Sequence, residues 1–561
     1  MRKKPAAGAL PVPASFVNAE QSAVLRLRGR NLFPTLRTLA LQGIKQPIHS
    51  ARHALALGGQ LGRVLRGDTS HQPPAQDARF QDPSWRLNPF YRRSLQAYLA
   101  WQKHLNAWVD ESNLAADDQA RARFILAQLG DALSPSNNPL NPLAVKELFN
   151  TGGASLLKGI GHLLDDLRHN GGMPSQVSKQ AFEVGRNIAT TPGAVVFRNE
   201  LLELVQYQPV NEKQYARPLL IVPPQINKYY IFDLSAEKSF VQYALKNGLQ
   251  VFIVSWRNPN ASHREWGLSS YVQAIEKALD VTRAISGSKE AHLMGACAGG
   301  LSIAALQGYL QAKRQLRKVA SATYLVSLLD SQIDSSAMLF VNEQTLEAAR
   351  RRSYQQGVLD GRDLAKVFAW MRPNDLIWNY WINKYLLGKQ PPAFDILYWN
   401  NDNTRLPAAL HGDLLDFFKY NPLTHPGGLE VCGMPIDLQK VTVDSFSIAG
   451  INDHITPWDA VYRSTLLLGG ERRFVLSNSG HIQSILNPPG NPKASYLEND
   501  KLPSDPRAWY FDTQKHDGSW WPEWLGWIQA CSGEQRETQL ALGNQNHPPM
   551  EAAPGTYVHV R

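Results

Sequence analysis

The string Gly295-Ala-Cys297-Ala-Gly299 constrains this chain more than any other stretch of it. It follows Ala291-His-Leu-Met294, which reads as a strand, and precedes Gly300-Leu-Ser-Ile-Ala-Ala-Leu306, which reads as a helix. A turn that passes directly from strand to helix strains its central residue and leaves no room for side chains beside it. Flanking glycines meet that demand. The pattern is the G-x-S-x-G nucleophile elbow with a thiol where serine usually stands. A buried structural cysteine beside a helix start is the competing reading, and the strand-then-helix context argues against it.

Short apolar runs of the kind buried in a parallel sheet recur on both sides of the elbow. They run from Pro218 to Pro224, Val251 to Trp256, Ala322 to Ser327, Ser445 to Ala449 and Arg473 to Leu476. Helical patterns such as Ala236 to Lys246 and Tyr271 to Ile285 separate most of them. Strand alternating with helix predicts an open α/β sheet, and with the elbow an α/β-hydrolase fold. One long interruption, Asp330 to Val441, holds Phe368, Trp370, Trp378, Tyr380, Trp381, Tyr385, Tyr398 and Trp399. An insertion of that length predicts a helical cap over the sheet edge where ligands bind. Its aromatics are core residues by default, with an acyl channel or a dimer face as the alternatives. From Asp82 to about Ile188 the pattern is mainly helical, anchored by Trp85, Tyr91, Tyr98 and Trp101. The expected division is a mainly helical N-terminal domain (1–205), a catalytic domain (206–540) with its cap insertion at about 331–440, and a polar C-terminal tail (541–561).

In this fold the catalytic partners follow in the order nucleophile, acid, histidine. Asp453, in Ala449-Gly-Ile-Asn-Asp-His-Ile-Thr-Pro457, and His481, in Ser477-Asn-Ser-Gly-His-Ile-Gln483, each follow a predicted strand, where such sites form. Asp330 is the rival acid. His454 reads as structural or as a substrate-positioning group. The backbone N–H groups of Ala298 and of Ile226, in the loop Pro223–Lys228, are the candidates for an oxyanion hole. Ser327, Ser479 and Gln483, at strand ends around the triad, are the candidates for the substrate pocket; solvated loop residues are the alternative. A thiol has a free pKa of about 8.5, which a helix N-terminus and an adjacent histidine lower. The thiolate attacks an acyl carbonyl, the histidine takes the proton and the acid orients the imidazole. Attack on a thioester gives another thioester, so the acyl group stays activated. Cysteine therefore suits acyl transfer to an alcohol better than simple hydrolysis.

Composition bounds the partners. The chain is 43% apolar with 15 Trp, enough for a sizeable core, and its net charge of +10 favours anionic partners or reflects scattered basic residues. No nucleic-acid motif accompanies that charge. Three cysteines, Cys297, Cys432 and Cys531, are too few and too scattered for a disulfide framework or a zinc site, so no metal or cofactor is expected and a reducing cytosol fits. The start, Met1 to Pro13, makes a poor signal peptide, and no stretch reaches the roughly 18 apolar residues of a membrane span. From Gln21 to Gly67 there are eight Lys or Arg and no Asp or Glu, with Leu25, Leu32, Leu36, Leu39 and Leu65 punctuating helical stretches. Such helices lie on an anionic or hydrophobic surface, or pack on the protein's own core.

At these residues the chain resembles the polyhydroxyalkanoate synthases, which polymerise (R)-3-hydroxyacyl-CoA into storage polyester. The strings that carry the likeness are Gly295-Ala-Cys-Ala-Gly-Gly300, Ile221-Val-Pro-Pro-Gln-Ile-Asn-Lys-Tyr-Tyr-Ile-Phe-Asp-Leu234 and Val254-Ser-Trp-Arg-Asn-Pro259. To these are added Phe394-Asp-Ile-Leu-Tyr-Trp-Asn-Asn-Asp-Asn-Thr404, Gly450-Ile-Asn-Asp-His-Ile-Thr-Pro-Trp458, Ser479-Gly-His481 and Asp82-Pro-Ser-Trp-Arg-Leu-Asn-Pro-Phe-Tyr91. The likeness spans roughly Phe80 to Trp527 and is strongest to the class II, medium-chain-length type. It implies that Cys297, Asp453 and His481 are nucleophile, acid and base. It also implies CoA thioesters, a second copy of the chain and the surface of a polyester granule in the cytoplasm as partners. The basic N-terminal helices and Trp520, Trp521, Trp524 and Trp527 fit that setting, and core packing explains the tryptophans equally well. Two other classes share some of these features. A cysteine thioesterase or polyester depolymerase would pass the acyl group to water, and a non-catalytic granule-coat protein would not need the triad.

Overall fold

The structure, a computed structural model, describes residues 29–68, 71–75, 77–333, 343–363 and 373–561. Leu25, Phe368, Trp370 and the start from Met1 to Pro13 lie outside the described residues, as do the side chains of Leu32 and Leu36.

One sheet organises the C-terminal two-thirds of the chain. Its strands are β1 (Gly193–Arg198), β2 (Leu202–Tyr207), β3 (Leu219–Val222), β4 (Val251–Trp256), β5 (Ala291–Ala296), β6 (Val319–Leu325), β7 (Ser445–Gly450), β8 (Arg472–Ser477), β9 (Ser495–Glu498) and β10 (Gln514–Asp517). Their spatial order is β1-β2-β4-β3-β5-β6-β7-β8-β9-β10. The run from β4 to β8 is parallel, and antiparallel pairs close both ends. Successive residues of a strand point to opposite faces, and here both faces are apolar. In β3, Leu220 and Val222 enter one core while Leu219 and Ile221 enter the other; in β8, Phe474 and Leu476 oppose Val475 in the same way. A sheet of that composition needs helices on both sides. The six runs that read as strands in the sequence all coincide with strands of this sheet, within an α/β-hydrolase fold.

Eleven of the helices frame this sheet, its cap and the N-terminal region: α1 (Gly29–Lys45), α2 (Pro47–Arg66), α3 (Pro89–Asp110), α4 (Ala116–Ala132), α5 (Ala154–His169), α6 (Leu268–Ser286), α7 (Ala298–Ala312), α8 (Glu343–Gln356), α9 (Ala408–Tyr420), α10 (Trp458–Leu466) and α11 (Trp521–Cys531). Helices α6, α7 and α10 cover one face. On the other, Trp520, Trp521 and Trp524 are fully buried, with Phe240 edge-on to Trp521 at 5.0 Å. These tail tryptophans are core residues.

The sheet begins earlier than expected. β1 and the first half of β2 lie before the expected boundary at residue 205, yet β2 pairs antiparallel with β4 from Leu202 to Gln206, because its fully buried side chains complete the core at that edge. The segment 541–561, expected as a polar tail, lies bound along β1: Met550 N–H donates to Val195 O at 2.7 Å and Ala553 N–H to Gly193 O at 2.9 Å. The reason is Glu203, whose buried carboxylate accepts from the N–H groups of Thr556 and Tyr557, each at 3.0 Å, and pairs with Arg198.

Helices α1 to α5 form a helical N-terminal region. Trp108 on α3 donates to Ser50 Oγ on α2 at 3.2 Å, while Ile44, Ile48, Leu55 and Leu65 stay exposed. The cap joins this region through polar contacts. Trp381, in a π-helical turn (Trp381–Leu386), donates to Asn137 O at 3.1 Å, and Lys384 pairs with Asp166 of α5 at 2.6 Å, both side chains buried. Tyr385 OH donates to the same carboxylate at 2.7 Å. Burial by itself would raise the Asp166 carboxyl, but hydrogen bonds from Lys384, Ser175 and Tyr385 outweigh it and hold it below the ordinary aspartate range.

Lys384→Ala leaves that carboxylate buried and without its cation, at an expected loss of about 3–5 kcal/mol. The depressed pKa means that the contact's stability is fully present above the unfolded aspartate value, about 3.9, and is lost as pH falls through the folded value. Denaturant unfolding of wild type and variant at pH 7 checks the magnitude. An unchanged midpoint would show that the pair contributes nothing.

Candidate active site

The elbow is built by close packing. Cys297 stands at φ 52°, ψ −123° between β5 and the first residue of α7, a conformation that side chains rarely adopt. A Cβ on Gly295 would lie 2.7 Å from the Gly299 carbonyl oxygen, one on Gly299 would meet the Val222 carbonyl, and one on Gly300 would meet Ser327 Oγ. The Cys297 N–H donates to Leu325 O at 2.9 Å, which ties the turn to β6. Cys297 is 5% exposed.

The loops after β7 and β8 carry the other two candidates. Gly450 brings these loops together, since a Cβ there would lie 2.6 Å from Ser479 O, and Asn452 N–H donates to that same oxygen at 3.1 Å. Asp453 and His481 are thereby joined, Oδ2 to Nδ1, at 2.7 Å, both buried. The carboxylate also accepts from the N–H groups of Ile455 (2.8 Å) and Thr456 (3.0 Å) and from Thr456 Oγ1 (2.7 Å). Burial would raise the Asp453 carboxyl; the His481 imidazole with its hydrogen bond, and then the Thr456 donors, overcome that and hold it below the ordinary range. A charged carboxylate therefore faces Nδ1, which fixes the imidazole tautomer with Nε2 as the basic nitrogen.

The rival acid is committed elsewhere. Asp330 pairs with Arg463 at 3.0 Å and accepts from Asn421 Nδ2 at 2.7 Å. His454 is half-buried on the same turn as Asp453.

Ala298 opens α7, so its N–H has no acceptor within the helix. The loop bearing Ile226 is held against that helix end: Gln225 Nε2 donates to Ser302 Oγ at 2.8 Å, and Ser302 Oγ to Ala298 O at 3.0 Å. The cap holds it from above, with Thr404 N–H on Ile226 O at 3.1 Å and Trp399 Nε1 on Lys228 O at 2.7 Å. Lys228 is buried, which pushes its amine down to about 8, and it donates to Val560 O at 2.8 Å. The C-terminal segment thus also braces this loop.

The three pocket candidates sit differently. Ser327 is buried against Gly300 and donates to Leu325 O at 2.9 Å, where it supports the elbow. Ser479 is half-buried and Gln483 exposed, either side of His481. Sequence reasoning passed over Thr456, Thr404 and Lys228, although all three fall inside the strings that carried the resemblance. A hydroxyl three residues after a buried acid was the available signal for Thr456, since short side chains return to nearby acceptors in such turns.

Residues 76–244 match the family described as poly-beta-hydroxybutyrate polymerase (PhaC) N-terminus, and residues 218–488 the α/β-hydrolase fold. Over the full length of both proteins the chain is 69% identical to poly(3-hydroxyalkanoate) polymerase 2 of Ectopseudomonas oleovorans. It is 55% identical to poly(3-hydroxyalkanoate) polymerase 1 of the same organism, over 96% of each chain. Identity is 40% to the poly(3-hydroxyalkanoate) polymerase subunit PhaC of Cupriavidus necator, over 89% of this chain and 85% of that one.

Thr456→Val removes one donor from Asp453 and leaves its two N–H donors in place. The loss sits at the low end of a hydrogen bond to a charged group, about 1.5 kcal/mol, or roughly tenfold. If Asp453 and His481 serve the reaction, turnover is expected to fall by that factor with KM unchanged. Steady-state kinetics decide it, and a change in KM alone would place Thr456 in substrate binding.

Proposed function

The chain belongs to the poly(3-hydroxyalkanoate) polymerase family, and from that premise we propose that it polymerises (R)-3-hydroxyacyl-CoA into polyester, with release of CoA, through a thioester on Cys297. The observation that carries this reading is the buried carboxylate–imidazole pair, Asp453 Oδ2 to His481 Nδ1 at 2.7 Å, on the loops beside a cysteine at a strained elbow.

In the first half-reaction Cys297 Sγ gives its proton to His481 and attacks the thioester carbonyl. The oxyanion that forms takes hydrogen bonds from the Ala298 and Ile226 N–H groups. The carbon–sulfur bond to CoA then breaks, CoA sulfur receives the proton from His481, and the acyl group remains on Cys297. In the second half, the 3-hydroxyl of another acyl group gives its proton to His481 and attacks the acyl-cysteine carbonyl. The new ester forms, and the Cys297 sulfur leaves and is reprotonated. Asp453 stays ionised throughout, orients the imidazole and stabilises its cation.

The remaining assignments follow from the same reading. The helical N-terminal region meets partners, while the catalytic domain and its cap do the chemistry. Exposed Phe149, Leu157 and Ile48 support a hydrophobic partner for that region, either a second copy of the chain or the polyester surface of a cytoplasmic granule. Acyl-chain selection is assigned to Ser479 and Gln483 directly, and to Ser327 through the elbow it supports. The medium-chain preference belongs with this assignment.

Purified protein given 3-hydroxyacyl-CoA is expected to release CoA and form insoluble polyester, and Cys297→Ala to do neither while keeping its fold. Free 3-hydroxy acid as the product would make the chain a hydrolase and overturn the reading. Polymer from the alanine variant would remove Cys297 from the chemistry.

Enlarging Ser479 or Gln483 is expected to broaden rather than switch monomer use, since one methylene in an apolar pocket is worth about 1–3 kcal/mol. Monomer composition of polymer made from mixed substrates checks this. An unchanged composition at both positions would move the pocket under the aromatic cap.

A further inference from the structure

Far from the triad, α2 places two histidines one turn apart. His49 and His53 share a helix face, with ring centroids 4.6 Å apart and edge to face. Glu111, the residue that ends α3, comes to the same face from 58 residues along the chain, its Oε2 3.3 Å from His53 Nε2. One ligand atom from each of these three residues lies within 4.8 Å of the others. We infer that His49, His53 and Glu111 form a binding site for a divalent transition metal of the zinc type, which staples α2 to the end of α3.

Three features carry the inference. Two imidazoles and one carboxylate are a donor set suited to zinc and its first-row neighbours. In a tetrahedral zinc site with bonds near 2.0–2.1 Å, adjacent ligand atoms stand about 3.4 Å apart. The His53–Glu111 pair already has that spacing, so only the His49 ring has to close in. The third feature lies outside the ligand set. His49 Nε2 is 3.1 Å from the Trp108 carbonyl oxygen. A carbonyl only accepts, so this nitrogen carries the hydrogen and the other ring nitrogen keeps its lone pair. An outer hydrogen bond from the ring to a backbone carbonyl is the support that metal-bound histidines usually have. Trp108 in turn donates to Ser50 on α2, so the ligand-bearing faces are already packed together.

A competitor occupies the carboxylate. Arg52 forms an ion pair with Glu111, and both side chains are at least half exposed. A pair so exposed is worth little, and a metal ion displaces it. This gives the site a distinctive test, because removing Arg52 frees the carboxylate for a metal ion but weakens a helix contact that rests on the Arg52–Glu111 ion pair alone.

The experiment uses the full chain carrying Cys297→Ala, so that thiolate binding at the elbow does not intrude, after treatment with a chelator. Zinc chloride is titrated in by calorimetry, and the thermal midpoint is followed in parallel. One equivalent is expected to bind in the micromolar range and to raise the midpoint as zinc increases. His49→Gln and His53→Gln are each expected to weaken binding by about 100-fold, and Arg52→Ala to tighten it several-fold. Absence of a stoichiometric site, or binding that all three substitutions leave unchanged, overturns the proposal. Arg52→Ala keeps the test decisive should a histidine variant fail to fold.

Discussion

A non-glycine residue held at φ 52° costs on the order of 1–3 kcal/mol, and Cys297 is held there by packing rather than by its own preference. Relaxing the turn would break the Cys297 N–H bond to Leu325 and pull Gly299 off the β3 carbonyls and Gly300 off Ser327. Those neighbours cannot follow, because β3, β5 and β6 are central parallel strands buried on both faces. The sheet is thus both the reason the strain persists and the frame that fixes where the sulfur points. Everything else at the site is positioned relative to that fixed atom, through loops that leave the carboxyl ends of neighbouring strands.

Local pattern made the sheet and the elbow legible. Runs such as Val251–Trp256 are short, largely apolar on both faces and separated by helical patterns, which suits covered parallel strands. The order nucleophile, acid, histidine and the position after a strand brought out Asp453 and His481, but they did not separate Asp453 from Asp330 by physics. The separation comes from partners: Arg463, on α10, neutralises Asp330, while the Thr456 donors turn towards Asp453. What stayed hidden was of one kind. The Asp166–Lys384 pair spans 218 residues, and the contact of Lys228 with Val560 spans 332. A single polar residue meeting another across the fold leaves no periodicity behind. The edge strand β1 and the bound C-terminal segment were missed for the same reason, since one buried glutamate, Glu203, decides their place.

The cap is held from two sides. Its Trp399 and Thr404 grip the loop that bears Ile226, and its Trp381, Lys384 and Tyr385 grip the helical N-terminal region. Movement of the cap therefore disturbs the Ile226 loop and the N-terminal contacts together, and the π-helical turn that forms the second grip lies where such a stress would concentrate. The helical N-terminal region is in this way mechanically connected to the loop that bears Ile226, without any residue of its own beside Cys297, Asp453 or His481.

That connection bears on what separates a polymerase from a hydrolase on this scaffold. In the mechanism proposed above both reactions pass through the same acyl-cysteine, with the same thiol, imidazole and carboxylate. Water outnumbers any hydroxyl acceptor in solution, so concentration alone favours hydrolysis. Selection of an alcohol then depends on excluding water until the acceptor hydroxyl fills its place. Cys297 at 5% exposure, Asp453 at 1% and His481 at 7% meet that condition, under a cap fixed at both ends. On that mechanism the cysteine preserves the acyl group's energy, and burial decides where that energy goes; neither would favour polymer without the other.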